Sequence, residues 1–274
     1  MKLLEKLKEV KRNHKALLAA NYYNFETCKG IVEAAAILQQ PVILQLTKSS
    51  IEYMGLKTAV KIGRSVSDEF NAISWLHLDH CQDVKLIKLC LDEGFDSVMI
   101  DASDKRMEEN IIITSTAVDL ASKYDVNVEA ELGSVPKPGD EIQPDRFTDP
   151  LEAARFVKET GVSSLAVAIG TKHGFYKGEP KLDIQRLIQI NKITDACLVL
   201  HGGSGIPADM LKQAIKNGIS KVNIATDTKD LFIKTLKEKM QNSDEIDLRK
   251  IFPLAINEIQ KLIEQKLKIV SMLN

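Results

Sequence analysis

Three histidines, each at or just past the end of an apolar run, carry the first chemical signal in this chain: His80 in HLDHC, His173 in AIGTKHG and His201 in LVLHGGSG. Three neutral imidazoles are a standard open coordination set for zinc, because they leave one position free for substrate. Other apolar runs end in Asn21, Thr47, Asp79, Asp101, Glu131 and Asn223, which brings amides and carboxylates to the same place in the pattern. Strand ends that need only solubility would carry varied Ser, Lys or Gln. His80, His173 and His201 are therefore read as ligands of a divalent metal, zinc first. His77, earlier in its run, and His14, ahead of the first run, read as structural. No short-range metal motif such as H-E-x-x-H is present, so the reading depends on a fold that brings distant positions together.

The residues after His201 suggest a second role. Gly202, Gly203 and Gly205 surround Ser204, and IPADMLKQAIKNG follows as a helical pattern. Backbone N–H groups of such a loop, with the positive end of the next helix, suit a phosphate. Asn223 and Thr226 in NIATD add neutral donors. The alternative is a tight strand-to-helix turn that only glycine permits.

For these positions to meet, the elements between them must form one mouth. Short apolar runs alternate with helical patterns along the whole chain, without a Pro/Gly/Ser-rich linker, and eight strands are expected near residues 16–20, 41–46, 75–79, 97–101, 126–131, 164–169, 197–201 and 221–224. Eight strands alternating with helices predict an α/β fold, a (β/α)8 TIM barrel forming a single domain over residues 1–274, with extra N- and C-terminal helices. A doubly wound sheet is the rival, but it calls for a glycine-rich phosphate loop after its first strand, and AANYYNFET is not one. Asp149 before Pro150 predicts a helix start and Gly161 its end. EGFDSVMI, TGVSSLAV and NGISKVNI form a weak repeat of helix, glycine cap and strand. The C-terminal segment from Glu245 is read as helix packed outside the barrel or against another subunit.

Composition sets bounds on partners. With 37 basic and 38 acidic residues the net charge is -1, so no global footprint for nucleic acid or membrane appears, and a small soluble ligand is expected. The N-terminus lacks the apolar region of a signal peptide, and a cytoplasmic location is expected. Cys28, Cys81, Cys90 and Cys197 show no C-x-x-C spacing and read as buried free thiols.

HLDHC, VEAELG, AVAIGTKHGFYKGEPKLD, LVLHGGSGIP and KVNIATD, in this order from about Asn21 into the C-terminal helix, together resemble the class II, metal-dependent ketose-bisphosphate aldolases, the fructose- and tagatose-bisphosphate enzymes. The resemblance implies that His80, His173 and His201 hold zinc and that Asp79 is the general acid/base. It implies a secondary metal site or relay at Asp101 and Glu131. Gly174, Gly202, Gly203, Ser204, Asn223 and Thr226 would hold the ketose phosphate, with a monovalent cation, Na+ or K+, nearby. Asn21, Thr47 and Lys48 are further candidates for substrate contact, Lys48 for a distal anionic group. The family is usually dimeric or tetrameric, so a homo-oligomer is expected.

The chain departs from the family after ELG. Members usually carry a mobile G-G-x-E-D loop whose glutamate exchanges the C3 proton, whereas this chain reads ELGSVPKPGDEIQPDRFTDP. The family's glutamate position falls on Gly139, and Glu141, or Asp140 beside it, is the candidate replacement. Fructose 1,6-bisphosphate is the first substrate expected, then tagatose 1,6-bisphosphate and other ketose 1-phosphates. A Schiff-base aldolase would need a lysine at an apolar strand end, where this chain has histidines. The altered loop is the best support for a non-catalytic, sugar-phosphate-binding paralogue.

Overall fold

The structure, a computed structural model, describes residues 1–136, 139–176, 178–241 and 243–273. Its centre is a closed barrel of eight parallel strands paired in chain order, β1 to β8, with β8 closing on β1. The strands are β1 (Leu17–Asn21), β2 (Val42–Thr47), β3 (Ser74–Cys81), β4 (Ser97–Ile100), β5 (Asn127–Leu132), β6 (Ser164–Val167), β7 (Cys197–Leu200) and β8 (Ile219–Ile224). All eight expected strands are present, with bounds shifted by at most two residues. Helices cover them outside and side chains fill the inside, so the strand sequences are near-continuous apolar runs.

Among the described residues eleven α-helices surround the barrel: α1 (Leu3–Arg12), α2 (Phe25–Leu38), α3 (Lys48–Met54), α4 (Leu56–Glu69), α5 (Val84–Asp92), α6 (Met107–Ser122), α7 (Pro150–Thr160), α8 (Ile184–Ile193), α9 (Ala208–Lys216), α10 (Thr226–Gln241) and α11 (Leu248–Val270). The local signals act as read. Asp149 caps α7 by accepting from Leu151 N at 2.9 Å and Glu152 N at 3.0 Å, and Gly161 ends it in the left-handed region. Gly94 and Gly218, the other two glycines of the repeat, also follow their helices at positive φ.

Both terminal helices have defined jobs. Leu3, Leu7 and Val10 of α1 pack against Leu17, Trp75 and Cys197 at the beginnings of three strands, so α1 closes the end of the barrel opposite the strand C-termini. On α11 the residues Ile251, Ala255, Ile259, Ile263 and Leu267, spaced four apart, form a buried stripe. The helix packs outside the barrel, against α2, where Gly30 leaves room for Ile259. The four cysteines are free and buried, and no helix among the described residues is long and apolar enough to cross a membrane.

Inside the barrel every second residue turns inward, and the layers change character along the axis. Near α1 the layer is apolar, with Leu17, Ala19, Ile43 and Trp75. Toward the strand C-termini it becomes polar, with Asn21, Gln45, His77, Asp79, Glu129, Lys221 and Asn223 all buried. The polar layers build the site.

Candidate metal centre and anion pocket

The strand C-termini open into a cavity of about 1190 Å³. Three nitrogens converge at its floor: His80 Nε2 lies 3.3 Å from His173 Nε2 and 2.8 Å from His201 Nδ1. The rings stand nearly perpendicular to one another, with centroids 4.6 to 5.8 Å apart. Stacking would turn ring faces together, whereas this packing aims lone pairs at one point.

The backbone explains how two neighbours in one strand, Asp79 and His80, both reach the site. Side chains alternate across a regular strand, so adjacent residues face opposite sides. Between Leu78 and Cys81 the register of β3 against β4 shifts, and His80 adopts φ +48°, the left-handed region that non-glycine residues seldom enter. This local distortion turns His80 to the mouth while Asp79 keeps its inward direction. Such strain persists where the surrounding structure holds it, and it clusters at functional sites. His173 comes from the loop after β6, six residues beyond the strand's last residue, Val167. Its N–H donates to Pro136 O at 2.9 Å. Tyr176 fastens the same loop, accepting from Lys172 N at 3.1 Å and donating to Gly202 O at 2.9 Å.

Carboxylates orient two of the rings. His80 Nδ1 donates to Asp101 Oδ2 at 2.8 Å, and Asp101 Oδ1 accepts from the Ser103 hydroxyl. His201, fully buried beneath the cavity floor, sends Nε2 to Glu129 Oε1 at 2.9 Å. With those hydrogens outside, His80 Nε2 and His201 Nδ1 face the centre, where a bound cation would displace the second proton of His80 and take both lone pairs. A second potential ligand group joins His80, Asp101 and Glu131, whose ligand atoms lie within 4.8 Å of one another. Glu131 Oε2 is buried without a hydrogen-bond partner, 3.8 Å from His201 Nδ1. The converging imidazoles and this orphaned oxygen suit a divalent cation.

The electrostatics divide the acids by task. Burial opposes ionisation of Asp79, but His80, His201 and Lys221, with a hydrogen bond from Asn21 Nδ2 at 2.9 Å, hold its pKa below the ordinary carboxylate range. It is therefore a carboxylate at neutral pH, able to accept a proton. Burial, then the nearby Asp101 charge, pushes Glu131 up to about 8. Burial also works against a charged His80, yet Asp79 and the hydrogen bond to Asp101 raise it to about 10. Burial and the His80 charge lower His173 to about 4 and depress His201.

Asn21, Thr47, Lys48, Asp79, His80, Asp101, Glu131, His173, Gly174, Gly202, Ser204, Asn223 and Thr226 all line the cavity. Lys48 is exposed and 3.7 Å from Glu52. Among the phosphate candidates, Gly203 does not line the cavity: its N–H donates to Asn223 O at 2.9 Å, so its donor serves the loop and not an anion. Ser204 Oγ accepts from Ala225 N and Asp227 N, which ties the glycine loop to the start of α10. Glu141 is exposed and lines a neighbouring cavity of about 600 Å³ with Lys172 and Tyr176, whereas Asp140 borders both cavities. Of the two loop carboxylates, Asp140 is the one on the main cavity.

His77 is wholly buried, with Nδ1 against Ser97 Oγ at 2.9 Å. His14 is exposed, with Nδ1 3.1 Å from Lys216 O. Sequence reasoning missed Gln45, Glu129 and Lys221. Gln45 donates to Asn21 Oδ1 at 3.0 Å and so fixes the amide that holds Asp79. All three lie two residues before a called strand-end residue, Thr47, Glu131 and Asn223 respectively, and the period of two would have placed them on the same inner face.

Comparison with known proteins adds the family context. A family model described as fructose-bisphosphate aldolase class-II matches residues 1–274. The YdjI aldolase from Escherichia coli K12 is 29% identical, with a TM-score of 0.88 over 98% of this chain and 96% of that one. A provisionally assigned fructose-1,6-bisphosphate aldolase from Coccidioides immitis is 28% identical, with a TM-score of 0.89 over the same shares. A fructose-bisphosphate aldolase from Campylobacter jejuni, 23% identical over 99% of this chain and 95% of that one, shares the fold at a TM-score of 0.84.

Proposed function

The chain belongs to the class II fructose-bisphosphate aldolase family, and from that premise we propose that it is a zinc-dependent aldolase cleaving a ketose 1,6-bisphosphate to dihydroxyacetone phosphate and an aldehyde. Aldolase chemistry on a small sugar phosphate and dependence on a metal follow from the family. The finer assignment, with fructose 1,6-bisphosphate as first substrate and tagatose 1,6-bisphosphate as second, is our reading. The observation that carries it is the convergence of His80, His173 and His201 beside an ionised Asp79.

His80, His173 and His201 would hold the divalent ion. Bound there, it supplies electrophilic stabilisation of the negative charge that develops next to the substrate's C2 carbonyl. Asp79 takes the proton of the C4 hydroxyl; the O–H pair becomes the second C4–O bond, C3–C4 breaks, and the aldehyde leaves. The electron pair of the broken bond remains with the C2–C3 fragment until C3 is protonated. Asp140 or Glu141 delivers that proton. In condensation the same steps reverse, and Asp79 protonates the new alkoxide. Asn21 and Asn223, at 2.9 and 3.4 Å, keep the two Asp79 oxygens aimed at the cavity.

Gly174, Gly202, Ser204, Asn223 and Thr226 bind the C1 phosphate, with Na+ or K+ beside it. Thr47 and Lys48 lie on the rim toward the distal group. If that group is acidic but not a phosphate, Lys48 still serves it, and a related ketose 1-phosphate becomes the substrate. A cytoplasmic homodimer or homotetramer is the form in which we expect the enzyme to work.

A cleavage assay on a panel of ketose phosphates tests the proposal. We expect fructose 1,6-bisphosphate to give dihydroxyacetone phosphate with zinc present, activity to vanish with a chelator, and activity to return on adding zinc. Chelator-resistant turnover with inactivation by borohydride in the presence of substrate would instead identify a Schiff-base lysine.

A further inference from the structure

Below the site, the barrel encloses a pair of opposite charges that touches no reacting atom. Glu129 of β5 and Lys221 of β8 are each 1% exposed, and Lys221 Nζ donates to Glu129 Oε2 at 2.7 Å. Lys221 Nζ also lies 3.2 Å from His77 Nε2, and His77 Nδ1 lies 2.9 Å from Ser97 Oγ. The second oxygen of Glu129 accepts from His201 Nε2 at 2.9 Å. Ser97, His77, Lys221 and Glu129, from four different strands, and His201, just past the end of β7, thus form one hydrogen-bonded chain that ends at a nitrogen of the metal centre.

Stability does not explain this pair. Removing two charges from water is expensive, and apolar residues of similar volume usually serve a core as well or better. What an apolar pair cannot do is choose a tautomer. A carboxylate oxygen 2.9 Å from His201 Nε2 requires the hydrogen on that nitrogen, which leaves the lone pair on Nδ1, the atom 2.8 Å from His80 Nε2. Lys221 holds the other carboxylate oxygen and prevents the group from turning away. His77, by accepting from Lys221 and donating to Ser97, fixes the lysine in turn. Asn223 Nδ2 lies 3.1 Å from the same Nε2; with that hydrogen directed at Glu129, the amide makes no hydrogen bond to the ring and donates instead to Asp79 Oδ1 at 3.4 Å.

We propose that Glu129, locked in place by Lys221 and His77, is a positioning residue that sets the tautomer and ring orientation of His201 so that Nδ1 faces the metal. This rests on the metal-dependent reading above, and the measurements separate the two. Zinc affinity is read by competition with a chromophoric chelator, alongside the visible spectrum of the cobalt-substituted protein. In Glu129→Leu/Lys221→Met both charges go together, so no buried ion is left unpaired. We expect this variant to bind zinc about 10–100-fold more weakly than wild type and to show displaced cobalt bands. Glu129→Gln/Lys221→Met restores an acceptor for Nε2–H and should recover most of the lost affinity, which a merely space-filling role would not produce. Wild-type zinc affinity with an unchanged cobalt spectrum in the Leu/Met variant would overturn the proposal. A wild-type protein that takes up no zinc would instead overturn the metal-dependent reading, and the positioning role with it. Should the Leu/Met variant fail to fold, nitrogen-15 shifts of His201 in the zinc-loaded wild type decide the matter. Protonated Nε2 is the expected result, and protonated Nδ1 the contrary one.

Discussion

Asp79→Asn lowers kcat by about 10²–10⁴-fold, the usual worth of a positioned proton transfer, while zinc affinity stays close to wild type. The substitution keeps the size of the side chain, and its amide oxygen still accepts from Asn21 Nδ2, so the hydrogen bond at 2.9 Å survives. What disappears is the negative charge. Asp79 is ionised at neutral pH because His80, His201 and Lys221 outweigh the burial that opposes its charge. An asparagine cannot accept the C4 hydroxyl proton. Steady-state kinetics on the best ketose bisphosphate, with zinc content measured on the same sample, check this. Near-wild-type kcat in a zinc-replete variant would remove Asp79 from the mechanism.

The second large effect needs no change to any polar side chain. Gly202 sits at φ +66°, and a Cβ added there would lie 2.3 Å from Lys172 O and 2.7 Å from Lys172 C. Both are backbone atoms of the residue before His173, so no rotamer change relieves the overlap. Gly202→Ala therefore pushes the His173 loop away from His201, and it disturbs the carbonyl that Tyr176 uses to join the two loops. The left-handed conformation costs about 1–2 kcal/mol for a residue with a side chain, and overpacking adds about 1–3 kcal/mol. We expect a loss of about 2–5 kcal/mol by chemical denaturation, with weakened zinc binding. A variant with native stability and native zinc affinity would show that the two loops are not rigidly joined.

These two residues also show what was legible in the sequence. Asp79, His80 and His201 stand out because each follows an apolar run, and burial of both barrel faces makes such runs end abruptly at the mouth. The alternation of strand and helix then leads to the barrel, and the barrel to convergence. The means of convergence were hidden. The positive φ at His80 and the shifted register of β3 depend on pairing with β4, which leaves no mark on HLDHC itself. The sequence pattern groups His173 with the strand ends, yet it lies on a loop whose course is set by Pro136, Tyr176 and Gly202.

Glu129 and Lys221 escaped for a different reason. A charged residue inside an apolar strand looks like an interruption, and only the pairing of β5 and β8 with their neighbours makes the two partners. The glycine loop after β7 reads in the sequence as a cradle for an anion, with a tight turn as the alternative, but the spending of the Gly203 N–H on Asn223 O is a tertiary fact. For Glu141 the loop after β5 offers no periodicity to follow, and tertiary packing puts Asp140, not Glu141, on the main cavity.

X-ray absorption at the zinc edge of the loaded protein tests the central claim most directly. Convergence of His80, His173 and His201 predicts one zinc per chain with three imidazole nitrogens at about 2.0–2.1 Å. A first shell containing sulfur, or fewer than three imidazoles, would contradict it.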